Sequence, residues 1–170
     1  LLKIFNNSFN NKFLIFLSLC LFVLINNANA NNILFKAKEI LTYENGDIII
    51  GHKNAEVKIG DQIEIYADKY TYYKKQNLII IENKVEVFDL LNKIKLDSEL
   101  IHYKIIEEEI ISLGKTTAYI NDKYLINSSD IHYTHPSKII YSNKLSTLDD
   151  NFNNKLKSST FKYLLDEEIY

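Results

Sequence analysis

The chain has 170 residues, 46% of them apolar, with 20 basic residues against 22 acidic ones. That length and balance fit one folded domain and exclude a disordered tail or a collagen-like chain. Every basic residue is lysine, Trp and Met are absent, and Cys20 is the one cysteine. A disulfide scaffold is therefore excluded, and nucleic acid is not an expected partner, because neither a positive surplus nor an arginine is there to meet phosphate or guanine.

The amino terminus reads as an address. Lys3 and Lys12 lie in an Asn-rich leader, Phe13 to Ile25 is an almost unbroken apolar run of 13 residues, and Asn26 to Ala30 follow. A basic region, a short apolar core and an Ala-x-Ala ending make a secretory signal peptide over residues 1–30, with Ala28 and Ala30 at the cleavage site. The run is shorter than the roughly 20 residues a bilayer-spanning helix needs. Leu17-Ser18-Leu19-Cys20 raises lipidation as an alternative, disfavoured because the residue before that cysteine should be small. An uncleaved anchor is the third reading. The mature chain, residues 31–170, carries 18 Lys and 22 acids and no cysteine.

The mature chain repeats. Tyr43, Tyr72, Tyr103, Tyr133 and Tyr163 are spaced 29, 31, 30 and 30 residues apart. Two residues before each stands an apolar side chain: Leu41, Tyr70, Ile101, Ile131 and Phe161. Four before stands an acid or serine: Glu39, Asp68, Glu99, Ser129 and Ser159. Asn45-Gly46 follows Tyr43 as a hairpin-turn signal, because both residues tolerate positive φ. An apolar run comes next (Ile48 to Ile50, Leu78 to Ile81, Ile110-Ile111, Ile139 to Tyr141), then a bend at Gly51, Asn83, Gly114 or Asn143. Alternating stretches follow: Val57 with Ile59, Val85 with Val87, Ala118 with Ile120, and a less regular Leu145 with Leu148. After a polar turn, Ile63 with Ile65, Ile94 with Leu96, and Tyr124 with Ile126 lead to the next tyrosine.

This alternation is the period of half-buried strands, and Ile, Val, Tyr and Thr suit a pleated surface. No stretch holds helical periodicity with caps. A strand of 4–6 residues cannot bury its apolar face alone, whereas stacked units share one core. The expectation is all-β: about four and a half repeats of roughly 30 residues forming eleven to thirteen short antiparallel strands in an elongated, rolled sandwich. The last unit stops at Tyr170, mid-repeat, which leads to the expectation of a longer chain or an open pairing edge.

Chemistry is sparse. His132 and His135 have a spacing that could hold a metal, but no cysteine or carboxylate completes the set nearby and Pro136 follows at once. His102 and His132 occupy one slot of successive repeats, facing opposite to the tyrosine, and read as outward. Glu107 to Glu109 and Asp166 to Glu168 fall in turns, which supply neither a cleft nor a raised pKa for acid–base work. No nucleophile elbow, zinc-protease, phosphate-loop or dinucleotide motif is found, so neither an enzyme nor a cofactor is expected.

The interior remains. It is either a plain packed core or a groove for acyl chains, where each buried CH2 is worth about 0.8 kcal/mol. The inward slots, and so the candidate ligand contacts, are Leu41, Tyr43, Val57, Ile59, Ile63 and Ile65 in the first part. Tyr70, Tyr72, Val85, Val87, Ile94 and Leu96 follow, then Ile101, Tyr103, Ile131 and Tyr133.

The stretch Ile63-Glu64-Ile65-Tyr66-Ala67-Asp68-Lys69-Tyr70-Thr71-Tyr72 resembles the organic-solvent-tolerance (OstA-like) family. So do Asn83-Lys84-Val85-Glu86-Val87, Asn54-Ala55-Glu56-Val57 and Ser128-Ser129-Asp130-Ile131-His132-Tyr133. The resemblance covers essentially all of Phe35 to Tyr163. Asn stands for the family's Gly in several bends, and the fourth repeat degrades over Leu145 to Asn154. The family includes periplasmic lipopolysaccharide-bridge proteins (LptA) and the amino-terminal domains of outer-membrane assembly proteins (LptD). The resemblance implies a β-jellyroll of V-shaped stacked strands whose inner face holds the acyl chains of lipopolysaccharide. It further implies handover between Lpt-type jellyrolls paired at edge strands, a periplasmic location, an outer-membrane β-barrel as a further partner, and no bond made or broken. Leu1 and the mid-repeat end lead to the expectation of a truncated LptD amino terminus over a complete LptA-type bridge. The competing readings are a closed β-solenoid scaffold or adhesion module and, last, a secreted carbohydrate-active enzyme.

Overall fold

A computed structural model describes residues 32–166. The segment expected to be a signal peptide, with Ala28 and Ala30, and the final residues to Tyr170 lie outside the described residues. What is described is all β, twelve antiparallel strands in one open sheet with no α-helix. The strands are β1 (Ile33–Lys36), β2 (Glu39–Tyr43), β3 (Ile48–Ile59), β4 (Ile63–Tyr73), β5 (Leu78–Asp89) and β6 (Ile94–Lys104). Then come β7 (Glu109–Ile120), β8 (Tyr124–Thr134), β9 (Ile139–Ser142), β10 (Ser146–Asp150), β11 (Lys155–Ser158) and β12 (Phe161–Leu164).

The expected number of strands is found, but not their expected length. The six strands β3 to β8 run 11 or 12 residues, twice what the sequence pattern suggests. The Asn and Gly bends do not end strands; they bulge them. Lys53 and Asn54 stand opposite Asp68 alone, Asn83 and Lys84 opposite Glu99, and Gly114 and Lys115 opposite Ser129. Two residues against one bends a strand sharply while both halves keep their partner. Lys53, Asn54, Asn83 and Lys84 take φ between 51° and 66°, and Gly114 takes 86°. Asn enters that left-handed region more readily than most residues. In the acid-or-serine slot, Asp68, Glu99 and Ser129 are thus the residues that face a bulge.

The bulges fold the sheet into two halves that face each other. One half-sheet holds β2, the first parts of β3, β5 and β7, the second parts of β4, β6 and β8, and β9 with β12. The other holds β1, the complementary parts of β3 to β8, β10 and β11. Between them lies one core of apolar side chains exposed by 3% or less, from Ala55 to Tyr163. Along the bend, freed backbone groups meet buried hydroxyls. Ser112 Oγ accepts from the Ile131 N–H at 2.8 Å, Thr116 donates to the Gly114 carbonyl at 3.0 Å, and Ser128 and Ser142 Oγ lie 2.9 Å apart. Opposite the bend, the turns of the two half-sheets meet along a seam that no backbone hydrogen bond crosses among the described residues.

Candidate functional site

The inner face combines strand alternation with the tyrosine slot. Val57, Ile59, Ile63, Ile65, Val85, Val87, Ile94 and Leu96 line one half-sheet, and Tyr70, Ile101, Tyr103, Ile131 and Tyr133 line the other. All thirteen are exposed by 3% or less, so in this conformation they form packed core. Tyr72 is half-buried, its ring stacked 5.1 Å from Phe35. Leu41 and Tyr43 break from the expected pattern, with exposures of 46% and 51%. The reason is a skew between the half-sheets. Tyr72 reaches back to Phe35, Tyr133 to Asp89 and Tyr163 to Tyr124, each about 40 residues earlier. Tyr43 would need a strand before β1, and none exists among the described residues.

The interior opens at the other end. A cavity of about 490 Å3 lies where β10 to β12 complete the roll. Its apolar lining comes from Ile126, Leu148, Leu156, Phe161, Tyr141 and Tyr163. Ser146, Ser158, Thr160 and Lys162 also line it, and Leu156 on β11 is 52% exposed. Its volume lies in the range of small-molecule pockets. It arises where the repeat degrades: β10 to β12 have four or five residues each, too few to span both half-sheets. Of the six apolar lining residues, none was among the inward slots singled out in the sequence. A second cavity of about 500 Å3 on the bend is lined by charged side chains, Lys84, Glu86, Asp97, Glu99 and Lys115, among others.

The outer faces differ. Over β1 and β3 to β6, Lys36 meets Glu56 at 3.2 Å, Lys58 meets Glu64 at 2.6 Å, and Lys95 bridges Glu86 and Asp97 at 2.9 Å each. Hydrogen bonds from Lys58 and Tyr66 hold the Glu64 carboxyl below its ordinary value. The opposite outer face carries Ile48, Ile50, Leu78 and Ile80, all half-buried, and His102 and His132 in their expected outward slot. Burial holds His102 below the usual imidazole value. His132 stacks on Tyr141 at 4.6 Å and meets Glu109 at 3.1 Å. Burial pushes the Glu109 carboxyl up, but hydrogen bonds from Lys104 and His132 outweigh it and leave it lowered.

His135 differs from His102 and His132. It turns to the seam, with Nε2 3.7 Å from the buried Asp89 carboxylate and Nδ1 3.4 Å from Glu108. No group of three or more His, Cys, Asp or Glu able to hold a metal occurs among the described residues. No helix among them is long and apolar enough to cross a membrane.

Comparison of the coordinates with solved structures finds a clear likeness. Among the matched proteins is LptH of Pseudomonas aeruginosa, described as the LptA-homologous periplasmic component of a lipopolysaccharide transport device. The superposition has a TM-score of 0.59 and spans 65% of this chain and 80% of that one, at 10% sequence identity. The chain shares the fold of LptH. At that identity the likeness establishes the jellyroll architecture expected from the OstA-like motifs. No family model matches the sequence, and no curated protein matches it.

Proposed function

We propose that the chain is a non-enzymatic, periplasmic module of lipopolysaccharide transport in the OstA-like family. It holds acyl chains against the apolar inner surface of the jellyroll and passes them toward the outer membrane. The observation that carries this reading is the apolar cavity between the half-sheets at the β10 to β12 end, in a fold shared with LptH. Its Ile, Leu and Phe lining suits hydrocarbon, at about 0.8 kcal/mol for each CH2 buried. Lys162, also in the lining, supplies a cation for an anionic head group. Handover needs neighbours. The β2 edge with Ile40, Leu41 and Tyr43 exposed, and the short β11 and β12 at the far end, are the surfaces where Lpt-type jellyrolls or the partner of an outer-membrane β-barrel would pair by strand addition.

The second reading is a closed scaffold or adhesion module, favoured by the tight burial from Val57 to Tyr133. Photocrosslinking separates the two. With a photoreactive residue at Leu156 and lipopolysaccharide added, the transport reading gives a covalent adduct there and none from Lys58 on the charged outer face. Adducts at neither position, in a protein that is folded and all β, would favour the scaffold.

A further inference from the structure

Four boundaries enclose the interior. Two are hydrogen-bonded half-sheets, and a third is the bend, crossed by the continuous backbone of β3 to β8. The fourth is the seam, where side chains alone join the halves. Phe35 lies 5.1 Å from Tyr70 and Tyr72 at one end, and Tyr124 lies 5.8 Å from Tyr163 at the other, both ring contacts. The middle is different. Tyr133 donates its hydroxyl to Asp89 Oδ2 at 2.5 Å across the interior, and Asn92 Nδ2 reaches both Asp89 at 2.8 Å and the Tyr133 oxygen at 2.9 Å.

Asp89 is out of place in such a core. It occupies the inward slot that Ile59 and Ile120 fill one repeat before and after, paired across the sheet with Ile63 and Ile94. Its side chain is fully buried. A carboxylate removed from water costs several kcal/mol unless it is hydrogen-bonded. Tyr133, Asn92 Nδ2 and the Asn92 N–H at 2.8 Å supply those bonds. Burial first, and then the Asp89 carboxylate, push the Tyr133 phenol well above its ordinary value, which keeps its proton in place as donor. The two bonds to Tyr133, its own to Asp89 and that from Asn92 Nδ2, exist only while the seam is shut, whereas the bonds from Asn92 to Asp89 lie within one turn and stay. When the seam parts, water replaces the Tyr133 bonds, so the closed state is held by a contact that breaks at modest cost, unlike an apolar Ile in the same slot.

We propose that Asp89, Asn92 and Tyr133 form a latch across the seam that sets how readily the half-sheets part to admit an apolar chain longer than the open cavity can hold. The inference rests on the transport reading for its ligand, but the latch itself rests on geometry. An acyl chain that has filled the β10 to β12 cavity meets packed core, and the seam is the boundary that yields without breaking backbone hydrogen bonds.

The test uses Tyr133→Phe, which keeps the ring and removes the donor, with Asn92→Ala as a milder variant on the turn and Tyr119→Phe, on the exposed outer face, as the control tyrosine. Uptake of 11-(dansylamino)undecanoic acid is followed by stopped-flow fluorescence, and hydrogen exchange is followed at the turns of residues 89–93 and 133–138. The expected result is uptake about ten-fold faster in Tyr133→Phe, the scale of a lost hydrogen bond to a charged group. Exchange at both turns rises with it, Asn92→Ala changes less in the same direction, and Tyr119→Phe matches the unaltered protein. Should Tyr133→Phe not fold, Asn92→Ala alone decides. Binding by the unaltered protein with rates and exchange unmoved in the variants overturns the latch. No binding by the unaltered protein overturns the transport reading and, with it, the role in uptake.

Discussion

Gly51 shows how one side chain is allowed by another. A Cβ there would overlap the ring of Tyr70, the residue opposite it on β4. Two repeats on, a small residue is paired with Ile instead: Ser112 faces Ile101 and Ile131. Gly51→Ala is therefore an overpacking change, expected to cost about 1–3 kcal/mol in denaturant melts. Adding Tyr70→Ile should recover most of that loss, since it rebuilds the pairing of the later repeats. The Tyr70 hydroxyl is buried without a hydrogen-bond partner. Tyr70→Phe should thus raise stability by roughly 1 kcal/mol, because an unsatisfied buried group costs about that much or more. At the surface, Glu64 gives a pH signature. Its folded value is lowered, so its contribution is present above the ordinary value of 4.5 and fades as pH falls through the folded value. The melting temperature of Glu64→Gln should lie slightly below that of the unaltered protein at pH 7, and the gap should close in acid; a gap that widens in acid would contradict the pairing with Lys58 and Tyr66.

Elements carry the bend. Asn83 and Lys84 both take positive φ within β5, and the strand pairs with β6 on either side of them. Asn83→Val puts a β-branched residue in that region and is expected to cost about 1–3 kcal/mol. The same change at Val85, two residues on, has no meaning, while Val85→Ala should cost only what its buried methyls are worth. These bulges also mark what the sequence could and could not tell. The tyrosine slots of the later repeats were legible because Tyr103, Tyr133 and Tyr163 can all be buried only if each repeat keeps the same register. Strand length was not, because Asn and Gly mark a bulge and a chain reversal with the same residues. The exposure of Leu41 and Tyr43 was hidden for another reason. A repeat has equivalent positions, but its ends lack neighbours, and the skew that uncovers β2 is a property of the folded sheet. Asp89 was hidden by its position just before a turn, where an aspartate ordinarily caps the loop. Here it does cap the loop, through the Asn92 N–H, and it faces inward as well. Its break from the Ile59 and Ile120 series was the available signal.

For the molecule as a whole, a closed roll and an open mouth coexist. The repeats that match best are the ones packed shut, and the irregular fourth repeat makes the cavity. The apolar cavity thus lies at one end, and substitutions there should separate binding from folding. Leu148→Glu, in a half-buried lining position, is expected to weaken lipid A binding at least ten-fold with little loss of melting temperature. Ile65→Glu, in the packed core, is expected to prevent folding, as an unpaired buried charge does. The most direct measurement is a methyl NMR titration of the Ile- and Leu-labelled protein with lipid A. Acyl chains seated in the jellyroll should shift the methyl signals of Ile126, Leu148 and Leu156 first, leaving those of Ile48 and Ile50 on the outer face unmoved. Shifts confined to the outer face, or none at saturating lipid, would contradict a role for this interior in carrying lipopolysaccharide.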